Sequence, residues 1–251
     1  MKIIYYIGLF LVGTIIGSFV CCQAWRIRYK EEKRGDLGKR SVCLHCGYQL
    51  RWFDNLPIFS WLFLRGRCRK CRKEIGKAEI LAEVFLGLGF LGLGLTSEIN
   101  FVFFLNLILF SVLGFLAIHD GKFGELPNRQ LFFAVFLGAL IAILKNPLDD
   151  FFSVLAGVGI LAGVYYFLFI LSKEKLVGGG DWILGLALAF ALSDWWLALW
   201  TLFLANMFGT IFNLPLAIKK KQKTVYFGPY LVVGFFIVTI FATELGKMIL
   251  I

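Results

Sequence analysis

Long stretches without charge leave this chain few places to fold other than a lipid bilayer. Residues 3 to 22 contain no Asp, Glu, Lys or Arg, and largely apolar segments recur at 80–96, 101–119, 131–144, 151–171, 183–193, 195–214 and 229–250. A hydrocarbon core about 30 Å thick takes about 20 apolar residues of helix. In lipid every backbone polar group must be satisfied within its own segment, so each run is expected to be an α-helix. The segments shorter than 20 residues are accommodated by tilt or by interfacial tryptophans such as Trp182 and Trp195. The expected fold is an all-α membrane protein of about eight transmembrane helices. Composition agrees: 59% of the residues are hydrophobic and 17% charged, against about 25% charged in soluble domains. The first run reads as a membrane helix, because only Lys2 precedes it as a positive charge and no small-x-small cleavage site follows.

Charge placement sets the orientation. Residues 26–79 hold 15 Lys/Arg against 6 Asp/Glu, and short basic loops stay in the cytoplasm. With that segment inside, threading eight spans puts Lys122, Arg129, Lys173, Lys175, Lys219, Lys220, Lys221 and Lys223 on the same side. Lys2, Lys145 and Lys247 fall outside, with Glu98, Asp149, Asp150, Asp194 and Glu244, and so do both termini. Three parts follow: a first transmembrane helix over 1–25, a cytoplasmic domain over 26–79 and a multi-helix membrane domain over 80–251. The formal net charge of +10 is then mainly an orientation signal, and no nucleic-acid partner is expected.

The cytoplasmic part carries Cys43-x-x-Cys46 and Cys68-x-x-Cys71. Paired CxxC turns present four thiolates to one tetrahedral metal, and structural zinc suits them. Metal binding would supply folding energy that so small a domain lacks. The basic residues Arg67, Arg69, Lys70 and Arg72 favour thiolate over thiol. Two disulfides are the alternative, which a reducing cytoplasm disfavours. His45 reads as a bystander, and Cys21 and Cys22 as small residues at a helix end.

Ionisable groups in or beside spans are costly to desolvate and are candidates for function. Asp120 ends the third span in AIHDGKFGELPN, and Asp181 opens the sixth in VGGGDW. The charge count puts both at one membrane face. The glycines before Asp181 would permit close backbone approach and positive φ. Two carboxylates within reach of each other share a proton, one serving as base toward water while the other protonates a carbonyl oxygen. Aspartates at helix ends are equally what a helix cap and a solvated loop charge look like, so spacing alone leaves both readings open. Glu83, inside the second span, is a further buried candidate.

These residues resemble the bacterial type IV prepilin leader peptidases, membrane aspartic proteases of the GxGD type, over nearly the whole chain. Gly17-Ser18-Phe19 followed by Arg26 is similar to the family's first-helix exit, and Ser41 to Ile75 to its tetracysteine domain almost position for position. Asp120 with Leu126-Pro127-Asn128, Gly178-Gly179-Gly180-Asp181 and Phe227-Gly228-Pro229-Tyr230 match further family motifs. The resemblance implies Asp120 and Asp181 as catalytic residues supported by Gly178 and Gly180. It implies cleavage of a short basic leader from prepilins or pseudopilins, after a glycine and at the cytoplasmic face of the bacterial inner membrane. It also implies methylation of the new amino terminus from S-adenosylmethionine. Glu83, Glu125 and Glu174 are the acids available to a basic leader, which the net positive domain would repel. The chain departs from the family at Ile183, where a lysine is common, and at Arg26-Ile27-Arg28, where arginine-proline is usual.

Three other readings compete. Presenilin-like proteases share the dyad but carry Pro-Ala-Leu, which Leu214-Pro215-Leu216 does not match, and lack the CxxC pairs. An ion-coupled transporter with a zinc-stabilised loop would want more polar residues in its spans than Glu83 and Asn106. A thiol oxidoreductase would want its cysteines outside.

Overall fold

The computed structural model describes residues 2–31, 41–145, 151–173, 177–220, 226–242 and 245. Asp149, Asp150, Glu174, Lys175, Lys221, Lys223, Glu244 and Lys247 lie outside the described residues. Among the described residues ten α-helices run in order: α1 Lys2–Glu31, α2 Phe59–Phe63, α3 Lys77–Thr96, α4 Phe101–Phe123, α5 Asn128–Lys145, α6 Phe151–Val158, α7 Val164–Ser172, α8 Gly179–Leu192, α9 Trp195–Lys220 and α10 Gly228–Ile240. A π-turn, Gly159–Gly163, joins α6 to α7 in one continuous helical stretch.

Each segment expected to be helical carries a helix over its described residues, and of the last, 229–250, the helix is Gly228–Ile240. Six have the length and composition to cross a bilayer: α1, α3, α4, α5, α6 with α7, and α9. At 14 and 13 residues, α8 and α10 are shorter, which at 1.5 Å per residue makes each about 20 Å long. Helix α1 runs past the expected end at 22 to Glu31. Its tail is rich in Arg, Lys and Glu, which are good helix formers and do not unwind on leaving lipid. Cys21 and Cys22 therefore sit inside the helix, Cys22 Sγ lying 3.6 Å from Ser41 Oγ.

The chain divides into two compact units, 1–95 and 96–251. In the first, α1 packs closely on α3. A Cβ added at Gly17 would lie 2.7 Å from the Ala82 carbonyl oxygen and from Glu83 Cα, so the glycine of Gly17-Ser18-Phe19 is what lets the two backbones touch. Glu83 is buried in α3. Its carboxylate accepts a 2.7 Å hydrogen bond from the Ile58 N–H at the start of α2 and another from the Ser18 hydroxyl.

In the second unit α5 and α8 run parallel. Leu126, just before α5, lies over Gly180; Gly138 faces the Ala187 carbonyl; and Lys145 Nζ donates to the Ala191 carbonyl at 2.9 Å. Helix α10 runs against α4, with Gly228 beside Asp120 at one end and Phe236 stacked on Phe110 further along, their ring centroids 3.8 Å apart. One end of this unit therefore collects the C-terminus of α4 and the N-termini of α5, α8 and α10. Lys122, Arg129 and Lys173 belong to that end, and Lys145 and Asp194 to the other.

Candidate active site

Helix α4 stops three residues after Asp120 for a local reason. Gly124 adopts φ 73°, and its N–H donates to the Asp120 carbonyl at 2.7 Å, a left-handed C-cap. Only glycine takes that conformation without strain, and a side chain there would also meet the Tyr226 ring. Pro127 then prevents resumption until α5 begins. Asp120 is left buried at the helix end, and its Oδ2 accepts the N–H of Gly228, the first residue of α10, at 3.1 Å. Pro229 follows at a position where its missing N–H costs nothing.

Asp181 sits in the first turn of α8, also buried. Its Oδ2 accepts the Gly178 N–H at 3.0 Å, so the aspartate caps its own helix. Both carboxylates thus rest on backbone N–H groups at helix N-termini, where the helix dipole favours negative charge. The two lie within electrostatic range of each other.

The glycines before Asp181 do less than expected. None of Gly178, Gly179 and Gly180 takes a positive φ. Extended backbone at Gly178 followed by an ordinary helical turn already delivers the aspartate. Close approach matters at Gly180, where an added Cβ would stand 2.8 Å from Leu126 Cδ1 and 3.0 Å from its Cβ. Gly180 therefore seats the Leu126-Pro127-Asn128 turn, which follows Asp120, on the turn that carries Asp181. His119 Nδ1 pairs with the Glu125 carbonyl at 2.8 Å and braces the same turn. The Glu125 side chain is exposed.

The sequence marks Gly228 only as part of a family motif and gives no role to His119, Tyr165 or Asn206. Gly228 is a backbone donor that only a folded chain identifies, though a Phe-Gly-Pro opening of a helix signals a free N–H. In the sequence His119 stands beside Asp120 with nothing to mark its role. Tyr165 is buried within electrostatic range of Asp181; its hydroxyl accepts from Asn206 Nδ2 at 3.4 Å, and its ring packs on Phe227 with centroids 5.6 Å apart. Polar atoms in otherwise apolar α7 and α9 were the available signal.

The four cysteines form the second centre, and their knuckles share one turn. In each, the residue four after the first cysteine, Gly47 or Arg72, has positive φ, 66° or 58°, and donates its N–H to that cysteine's carbonyl. The bridges Val42 to Gln49 and Arg67 to Glu74 close them. All four Sγ atoms lie within 4.8 Å of one another, with Cys43 to Cys71 at 3.9 Å and Cys46 to Cys68 at 4.0 Å. A tetrahedral Zn–S bond of 2.3 Å requires S···S edges of about 3.8 Å, whereas a disulfide requires about 2.05 Å. The cluster could therefore hold a metal ion, and all four thiols are free. Burial would raise the Cys68 thiol, but backbone N–H groups of Cys71 and Lys70 bring it down to about 7. Buried Asp54 ties the knuckles together, accepting from Arg69 Nε at 2.7 Å, the Arg51 N–H at 3.1 Å and the Tyr48 hydroxyl at 3.4 Å. Burial pushes its carboxyl up, but the Arg69, Arg51 and Tyr48 hydrogen bonds hold it below the usual carboxylate range.

Comparison with known proteins gives a consistent result. Residues 11–96 match the family model of the bacterial Peptidase A24 N-terminal domain, and residues 107–214 match that of the type IV leader peptidase family. The chain is 32% identical over 257 residues to a protein of Pectobacterium carotovorum subsp. carotovorum named prepilin leader peptidase/N-methyltransferase, covering 89% of this chain and 88% of the relative. A Bacillus subtilis (strain 168) protein of the same name is 30% identical over 234 residues, covering 90% of each chain. One from Dichelobacter nodosus is 27% identical over 278 residues, covering 98% of this chain and 94% of the relative. No solved structure matches. With two relatives at 30% identity or more along nearly their whole length, and both characteristic domains matched in order, the chain belongs to the type IV leader peptidase family.

Proposed function

We propose that this protein removes the basic leader of prepilins or pseudopilins with Asp120 and Asp181 as a catalytic dyad. The observation that carries the reading is two buried aspartates on different helices, gathered at one end of a membrane bundle and each held by a backbone N–H. In a site that admits little water the pair carries one shared proton. The ionised aspartate takes a proton from water as its oxygen attacks the scissile carbonyl carbon, and the protonated partner gives its proton to the carbonyl oxygen. Collapse of the tetrahedral intermediate breaks the C–N bond. The leaving nitrogen is protonated from the dyad, and the leader departs with a new carboxyl group. Gly228 and Gly178 hold the carboxylates in register, and Gly180 with Leu126 sets the spacing between their two turns.

The basic residues Lys122, Arg129 and Lys173 at the dyad end support a cytoplasmic facing for the site, and the charge of residues 26–79 supports the same for the tetracysteine domain. On this reading the six long helical stretches and the shorter α8 and α10 all lie in the inner membrane. A substrate with a charged leader and an apolar helix would present its scissile bond at that depth. Exposed Glu125, on the turn after Asp120, is positioned to meet a basic leader. Glu83 is already engaged by Ile58 and Ser18, which favours a latch over a substrate contact.

Zinc fits the tetracysteine cluster by donor type and spacing, with Cys43, Cys46, Cys68 and Cys71 holding it; when bound it would fix the two knuckles. The double name of the relatives supports methyl transfer from S-adenosylmethionine. The described residues contain no glycine-rich strand-to-helix turn, and no residues are assigned to that donor. The transporter alternative finds no support in the relatives. Incubation with a panel of prepilin-type substrates tests the proposal: one or more should lose a leader-length fragment, and no cleavage of any would overturn it.

A further inference from the structure

The tetracysteine domain of unit 1 carries a surface that the peptidase reading leaves unused. Within twelve residues, Trp52, Phe59, Leu62 and Phe63 are 78, 56, 56 and 85% exposed, and Leu56 is exposed too. Five large apolar side chains in water on a small basic domain would be an aggregation liability, so such a patch marks a binding surface.

Its depth identifies the occupant. Ile58, which opens α2, donates to Glu83, only three residues after the apolar part of α3 begins at Ile80. At 1.5 Å per residue that is about 5 Å into the span, so α2 lies at the level where headgroups give way to acyl chains. Trp61 is held there, its Nε1 donating to the Gly76 carbonyl at 3.4 Å just ahead of α3. Leu81 on α3 and Phe19 on α1 are exposed as well. Arg51 precedes the patch and Arg65 and Arg67 follow it, all exposed, which suits phosphate headgroups. Tryptophan, phenylalanine and leucine flanked by arginine is the composition of elements that lie in a membrane interface.

We propose that residues 52–63 are a monotopic membrane anchor: Trp52, Leu56, Phe59, Leu62 and Phe63 insert into the interfacial layer of the bilayer, and the flanking arginines bind anionic headgroups. The domain is thereby held flat against the membrane through its own surface, in addition to the two helices that leave it.

The test uses full-length protein labelled with 5-fluorotryptophan in nanodiscs of phosphatidylethanolamine and phosphatidylglycerol, with the Trp52 fluorine resonance assigned through Trp52→Phe. A lipid carrying a nitroxide at carbon 5 should broaden that resonance severalfold, and a water-soluble gadolinium chelate should leave it nearly unchanged. Replacing phosphatidylglycerol by phosphatidylcholine should weaken the lipid effect. Three results would overturn the proposal: broadening by the aqueous agent alone, protection from both agents, which would mean a protein occupant, or protection that appears only when a prepilin is added. Phe59→Ser with Phe63→Ser should reverse the order of the two agents at Trp52. Leader cleavage in the same nanodiscs is read separately, so loss of the anchor and loss of the peptidase reading are distinguishable.

Discussion

Replacing Gly228 by alanine is the most informative small change near the dyad. The new Cβ would stand 2.7 Å from Asp120 Oδ2, 3.2 Å from its Cγ and 3.4 Å from its Cβ. Ordinary contact begins near 3.4 Å, so the carboxylate or the start of α10 must move by about 0.7 Å. That displacement breaks or stretches the 3.1 Å hydrogen bond from the Gly228 N–H. A hydrogen bond to a charged group contributes about 1.5–3 kcal/mol, and each ~1.4 kcal/mol is tenfold in rate. The expected loss is roughly 10- to 150-fold in kcat with little change in KM, because the interaction holds a reacting group and not the substrate. The assay follows leader removal from a prepilin by gel mobility, with thermal unfolding of the same preparation in detergent. Gly121→Ala is the matched control: it adds the same methyl one residue from Asp120, where the nearest atom, Pro229 Cγ, lies at a comfortable 3.4 Å. A Gly228→Ala enzyme within twofold of wild type would refute the claim that this N–H positions Asp120.

Other outcomes follow from the same geometry. Gly180→Ala should lower cleavage, and Leu126→Ala should restore part of the loss by removing the Cδ1 atom that the new methyl meets; additive losses in the double variant would contradict the seating of one turn on the other. Tyr165→Phe keeps the ring on Phe227 but removes a buried hydroxyl within electrostatic range of Asp181, and should lower kcat with little loss of stability, measured by cleavage and thermal unfolding. Because the Asp54 carboxyl is held below its unfolded range, its contribution is complete above about pH 4 and is lost as pH falls through the lower folded value. Amide protection across residues 41–76, taken relative to the intrinsic exchange rate at each pH, should fall in acid, whereas in Asp54→Asn it should be low already at neutral pH. Purified protein should carry about one zinc, and Cys43→Ser or Cys71→Ser should lose it and expose that segment to proteolysis.

Much of this was legible in the sequence because the bilayer imposes simple rules. Apolar length located the helices, and counting basic loops put Asp120 and Asp181 on the same side before any coordinate did. The cysteine spacing likewise anticipated the four-sulfur cluster, since each CxxC turn is local. Interactions across the fold were not legible. Gly228 is 108 residues from Asp120, and a backbone N–H leaves no mark on residue identity except the glycine that a close carboxylate demands. Tyr165 and Asn206 sit on different helices, α7 and α9, whose relative rotation is set by packing across the fold. Glu83 was noticed as a buried acid, but its partner Ile58 belongs to a loop with no periodicity. The triple glycine misled in one respect, because glycine permits positive φ without requiring it.

The central claim is that Asp120 and Asp181 act as one proton-sharing unit, and isosteric replacement tests it most directly. Asp120→Asn and Asp181→Asn preserve size and one carbonyl acceptor for the Gly228 and Gly178 N–H groups, while removing the shared proton. With a prepilin substrate, each single variant and the double variant should cleave about 10³-fold or more slowly than wild type, the double losing little beyond either single. Asp194→Asn, at the other end of the bundle, should cleave normally. Leader removal at a wild-type rate by either dyad variant, in protein that is folded and membrane-inserted, would contradict the account.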